Sequence, residues 1–119
     1  MARSLGERLR LIRLFDTYGP LLTHRQQRLL RLYYHHDLSL GEIAERQAVS
    51  RQAVFDALRR STEELEHLEE TLAVVEFRRQ LAERVAALTA AVQRLTARVG
   101  AEAAAEVTQE LEALRRSLR

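Results

Sequence analysis

The stretch LSLGEIAERQAVSRQAV, residues 38–54, decides the fold of this chain. Ser39 followed three residues later by Glu42 is the capping-box pattern of a helix start, and Ser50 is a favourable N-cap for a second helix. The first helix is too short to be stable alone, so its apolar side must pack on the second. Apolar residues stand where two crossed helices would touch, at Ile43, Ala44, Val49, Val54 and Leu58. The pattern predicts a helix-turn-helix.

The turn between the two predicted helices departs from the usual composition in one residue. Gly is common at this position of the motif, and this chain has Ala48 there. The small residue needed where the helices cross is supplied by Ala44. An ordinary helical hairpin would bury the same positions, so it stays open as the alternative interpretation.

The composition favours helix along the whole chain. Gly and Pro together number five in 119 residues, and Ala, Leu, Arg and Glu, which are strong helix formers, dominate. The length suits one modest domain with an extension. We therefore predict an all-α protein, with a helix-turn-helix domain over residues 1–60 and a helical dimerisation extension over residues 61–119.

Two helices are predicted ahead of the quoted stretch. Residues 5–18 place Leu5, Leu9, Ile12 and Phe15 at helical spacing, and this stripe is widened by Leu11, Leu14 and Tyr18. A Gly-Pro pair ends the helix. A second capping box, Thr23 with Gln26, begins the next helix. Four of its residues fall on one face, and Tyr33 is expected in the core more firmly than Tyr34; the four are Leu29, Leu32, Tyr33 and His36.

A heptad-like apolar series follows the quoted stretch. Leu65, Leu68, Leu72 and Val75 repeat at spacings of three and four, and a second series with the same spacings runs from residue 74 to residue 99. The two series are out of phase, so the heptad pattern shifts near residues 74–81. The shift requires either a stutter or a helix break. Such a stripe needs a partner to bury it, so we predict a homodimer. The predicted dimer-interface residues are Leu81, Val85, Leu88, Val92 and Leu95.

The charge of the chain is unevenly distributed. Residues 1–61 carry eleven Arg against six Asp and Glu, a local charge of +5, whereas residues 62–119 carry eight against eleven, a local charge of −3. A basic half is the better candidate for a polyanion partner. Nucleic acid, with DNA favoured over RNA, is therefore the predicted partner.

The run LLTHRQQRLLRLYYHHDLSLGEIAERQAVSRQAV, residues 21–54, resembles the promoter-reading C-terminal domain of bacterial sigma factors. The combination of LYY, SLGEIAE and SRQAVFD resembles more closely the YlxM family of small helix-turn-helix proteins, over about residues 12–72. The resemblance implies a helical bundle, a dimer, and a regulatory or accessory role in the signal recognition particle pathway.

The second helix of the motif supplies the candidate contacts with nucleic acid. Docking in the usual way puts its first turns in the major groove, where Arg can bond guanine and Gln can read adenine. The residues expected at the base edges are Arg51, Gln52, Phe55 and Arg59, and those expected at the phosphate backbone are Arg46, Ser50 and Arg60.

Phe55 and Asp56 fit this interpretation less well, because one is apolar and the other brings negative charge towards phosphates. A protein contact explains them equally well, although Asp can accept from cytosine. The alternative function is accordingly a protein-interaction adaptor of the secretion-targeting machinery that binds no nucleic acid.

Other classes of function find little support in the sequence. Cys is absent, which excludes disulfides and thiolate zinc sites and fits a cytoplasmic protein. The adjacent His35 and His36 diverge on a helix, so no metal site is predicted. No catalytic grouping or glycine-rich phosphate loop has suitable spacing. We expect no enzyme, no cofactor and no membrane segment.

Overall fold

The structure is a computed structural model that describes residues 4–118, and every regular element in that range is helical. The all-α prediction is thus confirmed. Contacts divide the chain into two compact units after Val75. The α-helices are α1 Leu5–Tyr18, α2 His24–Leu30, α3 Leu40–Gln47, α4 Arg51–Leu72, α5 Val74–Val99 and α6 Ala105–Ser117, with a 3₁₀ turn at Gly19–Leu21 and a π-helical turn at Arg31–His35.

The caps of α3 and α4 form as the sequence predicts. The Ser39 hydroxyl accepts the Glu42 backbone N–H at 3.1 Å, and the Glu42 carboxylate accepts the Ser39 N–H at 3.1 Å. These hydrogen bonds hold the pKa of Glu42 below its usual value. The Ser50 hydroxyl accepts the N–H of Ala53 at 3.0 Å. With both helix starts capped, α3 and α4 pack together as a helix-turn-helix.

The turn of the motif depends on one strained residue. Ala48 caps the end of α3 in the left-handed conformation, with φ 55° and ψ 44°. Its N–H donates to the carbonyls of Ala44 and Glu45, and the next N–H, of Val49, donates to Ala44. A residue with a Cβ pays about 1–2 kcal/mol for this conformation, which explains why Gly is common there.

Replacing this residue by glycine is expected to stabilise the first unit. Ala48→Gly removes the left-handed strain but gives the unfolded chain more freedom, so the net gain is about 0.5–1 kcal/mol. Urea denaturation followed by circular dichroism measures it. The matched control, Ala57→Gly in the helical part of α4, should lose about 1 kcal/mol. A loss of stability for Ala48→Gly would contradict the assigned turn.

Helix α4 is the central element of the first unit, because it contacts α1, α2 and α3. The buried residues of this core include Leu11, Leu14, Phe15, Tyr18, Leu29, Leu30, Ile43, Val54, Leu58 and Leu65. The prediction that Leu5 and Leu9 belong to the apolar stripe of α1 was wrong, since Leu5 is 73% exposed and Leu9 is 43% exposed. α1 has apolar residues on more than one side, and packing against α4 selects the side that contains Leu11 and Leu14.

The end of the second helix also differs from the prediction, because Tyr34 is buried and Tyr33 is only half-buried. Tyr34 follows the fully buried Leu30 by one helical turn. The π-helical turn at Arg31–His35 lies in this segment, and the Arg8 guanidinium lies 5.2 Å from the Tyr34 ring centroid. The sequence favoured Tyr33 because it is in phase with Leu29 and Leu32, but the core instead takes Tyr34, in phase with the buried Leu30.

The predicted phase shift is a helix break, located at Ala73, which has φ 52° and ends α4. The first N–H groups of α5 are satisfied from outside the helix. The Tyr18 hydroxyl accepts the N–H of Val74 at 2.9 Å and donates to Glu69 at 2.6 Å, and Glu69 also accepts the N–H of Val75 at 3.1 Å. Burial and the contact with Glu69 raise the pKa of Tyr18, so its hydroxyl stays protonated and can donate.

The second unit, residues 76–118, is a hairpin of α5 and α6. Gly100 has φ 90° where α5 ends, a conformation that favours glycine. Val85 and Val92 on α5 are buried with Leu111 on α6. A core of this size leaves much of the apolar stripe on the surface of the hairpin.

Candidate nucleic-acid interface

The first turns of α4 present side chains of opposite character on two sides. Val54 and Leu58 are buried in the core of the first unit. Arg51, Gln52 and Arg59 are exposed. α4 is thus seated by its apolar side, and the polar residues predicted to contact bases remain accessible. We call the surface formed by Arg51, Gln52, Phe55, Asp56 and Arg59 the reading face.

Arg51 lies close to the first helix of the motif. A Cβ built on Gly41 would stand 3.0 Å from the Arg51 Nε and 3.1 Å from one of its terminal nitrogens. The absence of a side chain at Gly41 therefore leaves room for the guanidinium beside the first turn of α3. Arg51 is held near both helices of the motif, at the side where α4 begins.

Gln52 and Asp56 form a hydrogen bond on the reading face. The Gln52 Nε2 donates to the Asp56 Oδ1 at 3.0 Å, across one turn of α4. Gln52 is exposed and Asp56 is partly buried. The Asp56 carboxylate, which carries the negative charge of this face, is therefore hydrogen-bonded to a neighbouring amide.

The remaining two members of the reading face differ in accessibility. Phe55 is half-buried, so only part of its ring can reach a ligand. Arg59 lies 3.9 Å from the Glu63 carboxylate, and both side chains are more than half exposed. An exposed pair at this separation contributes little to stability, so Arg59 can leave it for a phosphate or a base.

The predicted backbone contacts are exposed residues on two helices and in the turn. Arg46 is in the last turn of α3, and Arg60 is on α4. Ser50 is already the N-cap of α4, but its hydroxyl hydrogen can still donate to a phosphate. Sequence reasoning missed Arg25, which lines a groove between α2 and α4 together with Arg60. No local signal in the sequence indicated this, because the proximity of Arg25 to Arg60 arises from the packing of α2 on α4.

The predicted dimer-interface residues divide into two groups in the hairpin. Val85 and Val92 are buried within it, beside Leu111 of α6. Leu88 and Leu95 are each 48% exposed, and Leu81 is half-buried. Every second residue of the heptad series, Val85 and Val92, is thus buried within the hairpin. The residues that alternate with them are accessible to a further partner.

The histidine pair and the long helices give no sign of other sites. His35 lies 3.6 Å from the Asp16 carboxylate, and residues 4–118 contain no group of three His, Cys, Asp or Glu side chains that could hold a metal ion. None of the helices in the described part of the chain has the length and apolar composition of a membrane span.

The capped short helix, the tight turn and the well-seated second helix with an exposed polar side together define a helix-turn-helix protein. The sequence model of the UPF0122 family, described as "putative helix-turn-helix protein, YlxM / p13 like", matches residues 5–100. The chain belongs to this family, which confirms the resemblance to YlxM.

Several curated proteins of this family are similar to the chain. A UPF0122 protein of Clostridium kluyveri is 47% identical over 79 residues, which cover 66% of this chain and 71% of that protein. One of Symbiobacterium thermophilum is 53% identical over 73 residues, covering 60% and 68%. One of Geobacillus kaustophilus is 48% identical over 84 residues, covering 68% and 76%.

Proposed function

We propose that the protein is a regulatory protein that binds duplex DNA through α3 and α4. The reading face enters the major groove, with Arg51, Gln52, Phe55 and Arg59 at the base edges. Arg46, Ser50 and Arg60 contact the phosphate backbone. The observation that carries the proposal is the helix-turn-helix itself, with its second helix seated by Val54 and Leu58 and its polar side exposed.

The distribution of charge supports this proposal. Residues 1–61 carry eleven Arg and six acidic residues, whereas residues 62–75 add five acidic residues and no Arg. The positive charge of the first unit is therefore confined to the part that contains the motif, and this part is the one that attracts polyanions. The Glu42 carboxylate accepts the Ser39 N–H at the start of α3, and the Asp56 carboxylate accepts a hydrogen bond from the Gln52 amide. Arg25 and Arg60 line one groove beside α4, which suits a phosphate of the strand that borders the major groove.

A homodimer forms part of the proposal. Leu88 and Leu95 lie one heptad apart on α5 and are half-exposed, which a stable two-helix hairpin does not need. Their burial against a second copy would complete the heptad seam. Two copies would double the basic face, and the resulting avidity would offset the modest charge of one copy.

The proposal also includes a cellular role for the DNA binding. The YlxM resemblance implies an accessory role in the signal recognition particle pathway, within the cytoplasm. Under that role the RNA of the particle is a second ligand to test beside duplex DNA.

Fluorescence anisotropy at several salt concentrations tests the proposal. The probes are labelled duplex DNA of random sequence and labelled signal recognition particle RNA. We expect duplex binding that weakens steeply with salt, because bound phosphates release counterions. The Arg46→Ala/Arg60→Ala variant, which removes two of the proposed phosphate contacts, should bind at least about tenfold more weakly and show a salt slope smaller by about two.

The matched control removes two arginines from the second unit, Arg94→Ala/Arg98→Ala, and should bind like the wild type if this unit does not contact the ligand. Failure of a folded wild-type protein to bind either nucleic acid at low salt would refute the proposal. That outcome would favour the adaptor alternative, although the half-burial of Phe55 and the engagement of Asp56 leave its docking surface small.

A further inference from the structure

Asp56 is an unexpected residue for a surface that meets DNA. It stands on the reading face one turn after Gln52, in the second turn of α4. Its Oδ1 accepts a hydrogen bond of 3.0 Å from the Gln52 Nε2. A role for Asp56 must therefore account for this bond as well as for its negative charge.

The chemistry of the two groups fixes the orientation of the amide. An ionised carboxylate only accepts hydrogen bonds, whereas the amide of Gln has a donating nitrogen and an accepting oxygen. The nitrogen of Gln52 must therefore face Asp56. One N–H is used in this bond, and the oxygen together with the second N–H is left for another partner.

We propose that Asp56 is a positioning residue that orients the Gln52 amide to recognise adenine in the major groove. This inference rests on the proposed DNA binding. Adenine presents an N6 amino donor and an N7 acceptor on its major-groove edge, and these match the amide oxygen and N–H of Gln. Asp56 prevents the amide from turning over, so the pair selects adenine without a direct contact between Asp56 and a base.

The inference separates affinity from selectivity. Asp56→Asn removes one negative charge, so overall affinity for duplex DNA should rise. Asn can donate or accept, so the Gln52 amide is then free to adopt either orientation. The preference for adenine should fall from about tenfold, within the range for a bidentate base contact, to about twofold to fivefold, because only part of the population then has the productive orientation. A merely structural role for Asp56 would not change affinity and selectivity in opposite directions.

A binding selection tests the inference. Wild-type protein is incubated with duplex DNA randomised at every position, and the bound fraction is sequenced. We expect one strongly selected adenine per half-site. Replacing that adenine by 7-deazaadenine, which lacks the N7 acceptor, should weaken wild-type binding about fivefold or more, weaken Asp56→Asn less, and leave Gln52→Ala nearly unaffected.

The control is Glu45→Gln, which removes one negative charge from an exposed side chain of α3. It should keep the selected adenine and its sensitivity to 7-deazaadenine. Loss of that sensitivity in the control would overturn the inference, as would an unchanged adenine preference in Asp56→Asn. Selection without any preferred adenine would overturn it and leave DNA binding intact. Binding to no duplex, or to RNA alone, would refute the proposed DNA binding and this inference with it.

Discussion

Leu58→Ala is expected to lower the free energy of unfolding of the first unit by about 3–5 kcal/mol. Leu58 is 0% exposed in α4, the helix that contacts α1, α2 and α3. Truncation removes buried apolar surface and leaves a cavity among close-packed neighbours. A domain is typically stable by about 5–15 kcal/mol, so the loss is a large share of the total. Urea denaturation monitored by circular dichroism measures it.

The same substitution on an exposed part of α4 provides the control. Leu72 is 50% exposed, so Leu72→Ala should change stability much less, by about 0.5 kcal/mol. Equal losses for the two variants would show that Leu58 does not occupy the core. Because Leu58 seats the helix that bears the reading face, the variant should also lose DNA binding at temperatures where the unit unfolds.

Leu88→Asp is expected to convert the proposed homodimer into a monomer. Leu88 is 48% exposed, and it also lines the groove between α5 and α6 beside Leu111 and Leu114. Circular dichroism must therefore show that the variant keeps the helix content of the wild type. In the dimer the introduced carboxylate would be buried without a partner, a change that costs several kcal/mol. Sedimentation equilibrium at micromolar concentration should give twice the chain mass for the wild type and the chain mass for the variant.

An aspartate at a neighbouring position of α5 distinguishes the seam from a general effect of charge. Ala87 is exposed and lies outside the heptad series, so Ala87→Asp should remain dimeric. A monomeric wild type would refute the dimer proposal. Dissociation by Ala87→Asp as readily as by Leu88→Asp would place the interface elsewhere on the hairpin.

Much of the fold follows from local sequence signals. The hydroxyls of Ser39 and Ser50 and the acidic partner Glu42 mark two helix starts, and the structure shows both capped. The turn at Ala48 was indicated by its place in the motif, where Gly is common, but Ala73 gave no local signal, because alanine seldom adopts the left-handed conformation. The break at Ala73 depends on tertiary contacts, since Tyr18 and Glu69 supply the hydrogen bonds that start α5.

The sequence predicted which residues form the candidate site, but it did not predict the contacts between them. Helical periodicity indicates that Gln52 and Arg59 point away from the buried Val54 and Leu58. Arg51 stands seven residues before Leu58, and its guanidinium lies beside Gly41 of α3. Periodicity cannot show that Gln52 bonds Asp56. It also cannot show that Arg25, far away in the chain, lines a groove beside α4, because that proximity arises from the packing of α2 on α4.

Mapping amide chemical-shift changes by NMR while unlabelled duplex DNA is added to isotope-labelled protein tests the central claim most directly. The account predicts that the largest changes fall on residues 39–60, including the Gln52 side-chain amide, and that they diminish as salt is raised. Changes confined to other parts of the chain, or no changes with a folded protein at low salt, would contradict it.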